Sequence, residues 1–153
     1  MKKNFWIFII VVFISSCGQK HYELPLTAQV TLLHEEPYKT IEVRSIGYGY
    51  SADEALLDAE RKAFKIIMFR GIPNTSVERP LVGPDEKKLL HQHAKYFNEF
   101  FNGRYKSFII TLYNASPPTK EKGIYTAAVD LKINLMSLKR DLEEHGVIRR
   151  FGF

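Results

Sequence analysis

The stretch IEVRSIGYGYSADEALLDAERKAF, residues 41–64, decides the fold of this chain. Its first part alternates, with Ile41, Val43 and Ser45 on one face, and predicts a β-strand over residues 41–50. Its second part carries alanines at three- and four-residue spacing, which predicts a helix with a stripe of small residues. A strand that leads into such a helix predicts a helix packed closely on a sheet.

Signals at both ends define this helix. Ser51 is a helix-capping residue, and Glu54 three residues later completes a capping box. Gly71 predicts a left-handed cap after the last turn, and Pro73 prevents the helix from resuming. We therefore expect the helix to end near Arg70. Its stripe consists of the alanines at positions 52, 55, 59 and 63.

Further strands and helices are predicted outward from this unit. The strands are expected over residues 28–33, 105–113 and 124–133, and the helices over residues 85–101 and 135–144. Consecutive strands with clustered helices indicate an α+β fold. We expect an antiparallel sheet of about four strands, with two main helices on one face and a short C-terminal helix.

Turn-forming residues separate the elements. Residues 34–37 are expected to end the first strand, 72–84 to form a proline-rich loop, and 116–123 to connect the last two strands. Gly47 and Gly49 are expected to provide flexibility for a sharp turn from strand to helix. A phosphate loop is not expected there, because its Gly-Lys-Ser/Thr segment is missing.

The composition is that of an ordinary globular domain. The chain has 153 residues, of which 45% are hydrophobic and 25% charged. Its net charge is +5, or +3 without Lys2 and Lys3. No long basic run is present, so a nucleic-acid partner is not expected. A weak attraction to an anionic membrane surface is expected.

The amino-terminal residues have the parts of a signal peptide. Lys2 and Lys3 precede an apolar run over residues 5–14. As a helix this run would reach about 15 Å, which is half of a bilayer core. It therefore fits a signal peptide rather than a membrane span. Small residues follow it, and Cys17 is the only cysteine of the chain.

The segment Ile14-Ser15-Ser16-Cys17 resembles the lipobox of bacterial lipoproteins cut by signal peptidase II. The resemblance implies cleavage between Ser16 and Cys17, diacylglycerol on the Cys17 thiol, and an acyl chain such as palmitate on the new amino terminus. Two or three chains anchor stably, because each buried CH₂ contributes about 0.8 kcal/mol. No other cofactor is expected.

The residues after the cysteine predict the location. Gly18 stands where an inner-membrane retention signal would have Asp, which favours the outer membrane. The Ser-Ser-Cys-Gly style resembles lipoproteins of the Bacteroidota. Residues 19–22 lack the acidic cluster of surface-exported lipoproteins, so we expect the domain to face the periplasm. The predicted parts are a signal peptide (1–16), a lipidated tether (17–26) and a single periplasmic α+β domain (27–153).

Two further resemblances concern the domain itself. Residues 46–51 with the alanine-striped helix resemble Lpp20-like small envelope lipoproteins, which are generally non-catalytic. Residues 63–73 with the aromatic helix after them resemble the lipoprotein subunit of Bacteroidota type VI secretion systems. This second resemblance implies an outer-membrane tether for a trans-envelope complex.

No catalytic or metal site is expected. His91 and His93 are two residues apart on a predicted helix, so their side chains point to different sides. The serines lie in no Gly-x-Ser-x-Gly segment. The charged residues of the first helix, such as Asp58 and Lys62, are expected to form solvated pairs along its face. We therefore expect a protein that is not an enzyme.

The candidate interaction surface is the loop over residues 71–82. Its apolar residues stand on a backbone stiffened by proline, which loses little entropy on docking. The alternative is a loop folded back to cover a sheet edge, and the sequence does not decide between the two. The candidate contact residues are Ile72, Pro73, Val77, Arg79 and Leu81. The basic, aromatic tail over residues 149–153 is a second candidate, with disorder as its alternative.

The expected function is that of a non-enzymatic outer-membrane lipoprotein. It would anchor or help to assemble a trans-envelope complex such as a secretion system, with the membrane and envelope proteins as its partners. The alternative is a peptidoglycan- or ligand-binding accessory lipoprotein that regulates a cell-wall enzyme.

Overall fold

The computed structural model describes residues 29–149, and all elements named below lie in that range. The strands are β1 (Val30–Glu36), β2 (Thr40–Gly49), β3 (Ile109–Glu121) and β4 (Ile124–Asn134). The helices are α1 (Ala52–Phe69), α2 (Glu86–Gln92), α3 (Ala94–Phe101) and α4 (Leu135–Glu144), with a 3₁₀ helix at Arg104–Phe108. The strands form one antiparallel sheet in the order β1-β2-β4-β3, which confirms the expected α+β class.

One face of the sheet is buried beneath the helices, and we call it the inner face. Ile41, Val43 and Ser45 of β2 are fully buried there, as the alternation predicts. The alanine stripe of α1 is also confirmed, because its members at positions 55, 59 and 63 are fully buried. Burial of this apolar surface is the main force that holds the helical layer on the sheet.

The ends of α1 form as predicted. Ser51 Oγ accepts the backbone N–H of Glu54 at 3.2 Å, and the Glu54 carboxylate accepts the N–H of Tyr50 at 2.8 Å. Gly71 has a φ of +80°, and its N–H donates to the carbonyl of Ile66 at 2.8 Å. These bonds satisfy backbone groups that a helix leaves unpaired at its ends.

The prediction that Gly47 and Gly49 provide flexibility for a sharp turn is wrong. Both glycines lie in β2, and neither has a positive φ. They are required because α1 passes directly over them: a Cβ at residue 49 would lie 2.6 Å from the backbone nitrogen of Ala55. The two residues therefore serve close packing, and conformational freedom is not what selects glycine here.

The single helix expected over residues 85–101 is two helices. His93 has φ −116° and ψ 38°, outside the helical region, and separates α2 from α3. The break turns the aromatic side of α3 toward α1. The Phe97 ring lies 5.5 Å from that of Phe69, and the Phe100 ring lies 5.6 Å from that of Phe64. Tertiary packing of these rings outweighs the continuous helical pattern.

The strand expected over residues 105–113 begins later. Residues 104–108 form the 3₁₀ helix, whose three residues per turn place Tyr105 and Phe108 on the same buried side. The connection expected over residues 116–123 is mostly strand, because β3 continues to Glu121 with register irregularities. An edge strand tolerates proline, so Pro117 and Pro118 fit there.

The first strand also differs from the expectation. It continues through His34 to Glu36, because these residues pair with β2. An irregularity in register between Leu32 and His34 accommodates the break in alternation. The turn follows at residues 37–39, where Tyr38 has a φ of +63°.

Candidate functional site

The predicted lipid anchor lies outside the described residues. Ser16 and Cys17 are therefore not described, and neither are residues 150–153 of the tail. No helix within residues 29–149 is long and apolar enough to cross a membrane. The chain from Cys17 to Gln29 can reach at most about 40 Å. A lipid on Cys17 would therefore hold the domain within that distance of the membrane surface.

The predicted interaction loop does not expose its apolar residues as expected. Ile72 and Val77 are buried in the core, and Leu81 is partly buried against it. The Ile72 N–H donates to the Val77 carbonyl at 2.9 Å, which closes a compact turn. Pro73 and Arg79 stay exposed. Their contact with a partner remains a prediction.

Hydrogen bonds hold this loop against the end of α1 and the edge strand β1. The N–H of Val82 donates to the Met68 carbonyl at 2.9 Å. The backbone N–H of Ser76 donates to the Glu35 carboxylate at 2.8 Å. The Ser76 hydroxyl also bonds to that carboxylate, and the hydroxyl oxygen accepts the N–H of Tyr38 at 3.1 Å. The loop therefore takes the second arrangement that the sequence allows, folded over a sheet edge.

A buried polar pair connects α1 with the 3₁₀ helix. The Tyr105 hydroxyl donates to the Glu60 carboxylate at 2.7 Å, and Lys106 Nζ lies 3.8 Å from the same oxygen. Burial raises the pKa of Tyr105 well above its ordinary value, and the bond to Glu60 raises it further. In the sequence, only the position of Glu60, directly after Ala59 of the buried alanine stripe, could have indicated this pair.

A second polar cluster connects α3 with α4. The Tyr96 hydroxyl donates to Asp141 at 2.7 Å, and Arg104 forms an ion pair with the same carboxylate. Arg104 also contacts the His145 ring at 3.1 Å. Burial raises the pKa of Tyr96, with the bond to Asp141 as the next cause. The cluster positions the two helices and leaves the Asp141 carboxylate fully engaged.

His91 and His93 are close in sequence, but the structure brings His93 together with His145 instead. His93 and His145 line one open cleft, together with Tyr96 and Glu99, whereas His91 does not line it. Within residues 29–149, no group of three or more His, Cys, Asp or Glu side chains could hold a metal ion.

The face of the sheet opposite the helices, which we call the outer face, is charged along its centre. Arg44 of β2 makes two hydrogen bonds to Asp130 of β4, at 2.7 and 2.8 Å. The bonds and charge of Asp130 raise the pKa of Arg44. Glu42 lies opposite Lys132 two residues further along, on the same face of the sheet. These cross-strand pairs have opposite charges, so they support the register of the sheet.

The edge strand β3 exposes three large apolar or aromatic side chains. Ile110, Leu112 and Tyr113 are 50%, 41% and 61% exposed. Among the described strands, β3 pairs on one side only. Register irregularities occur in both halves of β3, between Ile109 and Thr111 and again after Asn114, and prolines disrupt its second half, which discourages pairing with another chain there. Its first half, residues 109–114, lacks proline and can accept a further strand.

A cationic cleft lies between α1 and α3 on the helical side of the domain. Its volume is about 400 Å³, within the usual range for ligand sites. Arg61, Lys62 and Lys65 of α1 form one wall. Phe101 and other residues of α2 and α3 form the other. The predicted pair of Asp58 and Lys62 is confirmed at 2.6 Å, so Arg61 and Lys65 supply the net charge of the cleft.

Comparison with known proteins reveals no matching family model, no matching curated protein and no matching solved structure.

Proposed function

We propose that this protein is a lipid-anchored, non-enzymatic subunit of a trans-envelope complex such as a secretion system. The observation that carries the proposal is the segment Ile14-Ser15-Ser16-Cys17, which places the only cysteine directly after a signal-like apolar run. The lipid on Cys17 would be inserted in the outer membrane. The domain would then present its docking surface in the periplasm, with Gln29 held within about 40 Å of the membrane.

The edge of β3 supports the docking role. Its residues 109–114 offer unpaired backbone groups and the exposed side chains of Ile110, Leu112 and Tyr113. An extended segment of an envelope protein can add to such an edge as a fifth strand. Main-chain hydrogen bonds then provide affinity, and the alternate side chains provide specificity.

Crosslinking and affinity purification from membranes test the anchor. The full-length chain carries a tag after Phe153, and a Cys17→Ala variant serves as the control. We expect subunits of one envelope complex to be recovered with the lipidated protein and lost with the variant. Full function of a soluble Cys17→Ser form in cells would contradict the proposal.

A pair of surface variants tests the β3 edge. Tyr113→Lys places a charge on the proposed edge and is expected to abolish the crosslinks, because an edge lysine opposes strand addition. Met136→Lys is the control, since Met136 is 56% exposed on α4 and its N–H bonds to Lys39, next to β2 rather than β3. Equal crosslinking by both variants would exclude the β3 edge as the docking surface.

A second candidate function follows from the cleft between α1 and α3. Its cationic lining by Arg61 and Lys65 favours a ligand-binding accessory lipoprotein, with the cell wall as one source of anionic groups. Sedimentation with purified cell-wall sacculi at low salt tests this candidate. Failure to sediment would count against binding to peptidoglycan.

A further inference from the structure

The cleft between α1 and α3 combines positive charge with an aromatic wall. Arg61 and Lys65 line it from α1, and Phe97, Phe101 and Leu90 line it from α3 and α2. Lys65 Nζ lies 5.7 Å from the centre of the Phe101 ring. Cationic and apolar groups are therefore adjacent in one concave space.

The cationic groups of the cleft are only partly neutralised. Lys65 Nζ lies 4.0 Å from Glu86, and the same carboxylate also pairs with Arg70 at 3.3 Å. The guanidinium of Arg61 interacts with the Tyr105 hydroxyl, but its Nε is buried and has no hydrogen-bond partner among residues 29–149. A buried donor without a partner costs free energy that a bound acceptor would recover.

Amide groups extend the donor set. Asn98 of α3 and Asn102, which caps the carboxyl end of that helix, line the cleft across from Arg61. An arginine fork with neighbouring amides fits the several oxygens of a phosphate group. The aromatic wall beside them fits an apolar body joined to that phosphate.

We propose that this cleft binds the phosphate headgroup of an anionic phospholipid, with Arg61 and Lys65 contacting the phosphate and Phe101 contacting the adjoining acyl chain. This proposal rests on the proposed lipid anchor, because a tether from Cys17 would keep Gln29 within about 40 Å of a phospholipid surface and the cleft of the same domain near that surface. Headgroup binding would then provide a second contact with the membrane and fix the orientation of the domain. Anchoring by two contacts is stronger than by either alone, because the tether raises the local concentration of headgroups.

The test uses the chain from residue 17 onward with Cys17→Ala, so that binding is measured without the anchor. The probes are monomeric dihexanoyl phosphatidylglycerol, dihexanoyl phosphatidylcholine and inorganic phosphate, titrated with detection by calorimetry. We expect phosphatidylglycerol to bind more tightly than either other probe. Arg61→Gln and Lys65→Gln should each weaken that binding by about tenfold, since each removes a charge-assisted bond.

The control is Lys87→Gln, which removes the same charge from an exposed position of α2 outside the cleft. It should bind phosphatidylglycerol as the parent chain does. Circular dichroism establishes that each variant is folded. If Arg61→Gln fails to fold, the more exposed Lys65→Gln still tests the site.

Three results would overturn the proposal. Equal binding of the two phospholipids would mean that the cleft does not select an anion. Phosphate alone binding as tightly as phosphatidylglycerol would assign the cleft to a free anion. Binding to sacculi that Arg61→Gln abolishes, with no binding of phosphatidylglycerol, would assign it to the cell wall. Each result leaves acylation of Cys17 to be measured separately, so failure of this proposal is distinguishable from failure of the anchor.

Discussion

Gly47 of β2 lies directly against Ala59 of α1. A Cβ atom at residue 47 would be 2.8 Å from the Cα of Ala59, a distance that real Cβ atoms do not reach. Next to this contact, the hydroxyl of Ser45 donates to the Ala59 carbonyl at 2.7 Å in a buried position. Two small residues therefore set the distance between the helical layer and the sheet, which the core and the cleft both depend on.

Gly47→Ala is expected to be strongly destabilising. Its added methyl group meets backbone atoms, which cannot rotate away as a side chain could, so α1 must move off the sheet. We expect a loss of about 3 kcal/mol or more in the free energy of unfolding. Urea denaturation measures it. A variant as stable as the parent would mean that α1 is not held at this distance.

Tyr105→Phe tests the buried pair between α1 and the 3₁₀ helix. Removal of the hydroxyl leaves the Glu60 carboxylate without its closest donor. We expect a loss of about 1–3 kcal/mol in the free energy of unfolding. Tyr113→Phe is the matched control, because Tyr113 is an exposed residue and should show no change. Equal effects of the two substitutions would contradict the role of the buried bond.

Alkaline pH is expected to destabilise the fold through Tyr96 and Tyr105. Both have a pKa raised above the ordinary tyrosine value of about 10, so the folded state favours their protonated form. Their contribution to stability is therefore complete below about pH 10 and is lost as the pH rises above it. Absorbance at alkaline pH and thermal unfolding measure this. Ionisation of every tyrosine near pH 10 with the fold intact would contradict it.

Ser76→Ala is expected to release the loop over residues 72–84 from the sheet edge. The substitution removes the hydroxyl that accepts the Tyr38 N–H and bonds to Glu35. We expect a loss of about 1 kcal/mol and faster amide hydrogen exchange in the loop, with the core strands unaffected. Unchanged exchange at Ile72 and Val77 would show that apolar burial and the backbone N–H bonds hold the loop without the Ser76 hydroxyl.

Local patterns were sufficient to predict the strand and helix of residues 41–70. Alternation fixes which side of β2 is buried, and spacing fixes which side of α1 contacts it, because both depend only on neighbours in sequence. The break at His93 and the 3₁₀ helix at Tyr105 were not predictable in this way. Both depend on aromatic rings that meet only after the chain has folded.

The candidate site was less predictable than the fold. The sequence correctly indicates that Asp58 pairs with Lys62, since a spacing of four is local to a helix. It does not indicate that Arg61 faces Phe101, because that contact requires the relative position of α1 and α3. The loop at Ile72 shows the same limit, since it is held by hydrogen bonds to Glu35 of β1 and to the last turn of α1. Cys17 remains predicted from sequence alone.

Intact mass spectrometry of the protein extracted from bacterial membranes tests the central claim most directly. We expect a chain that begins at Cys17 and carries diacylglycerol on its sulfur and an acyl chain on its amino group. A chain with a free Cys17 thiol, or one cleaved at another position, would contradict the lipid anchor and the function proposed from it.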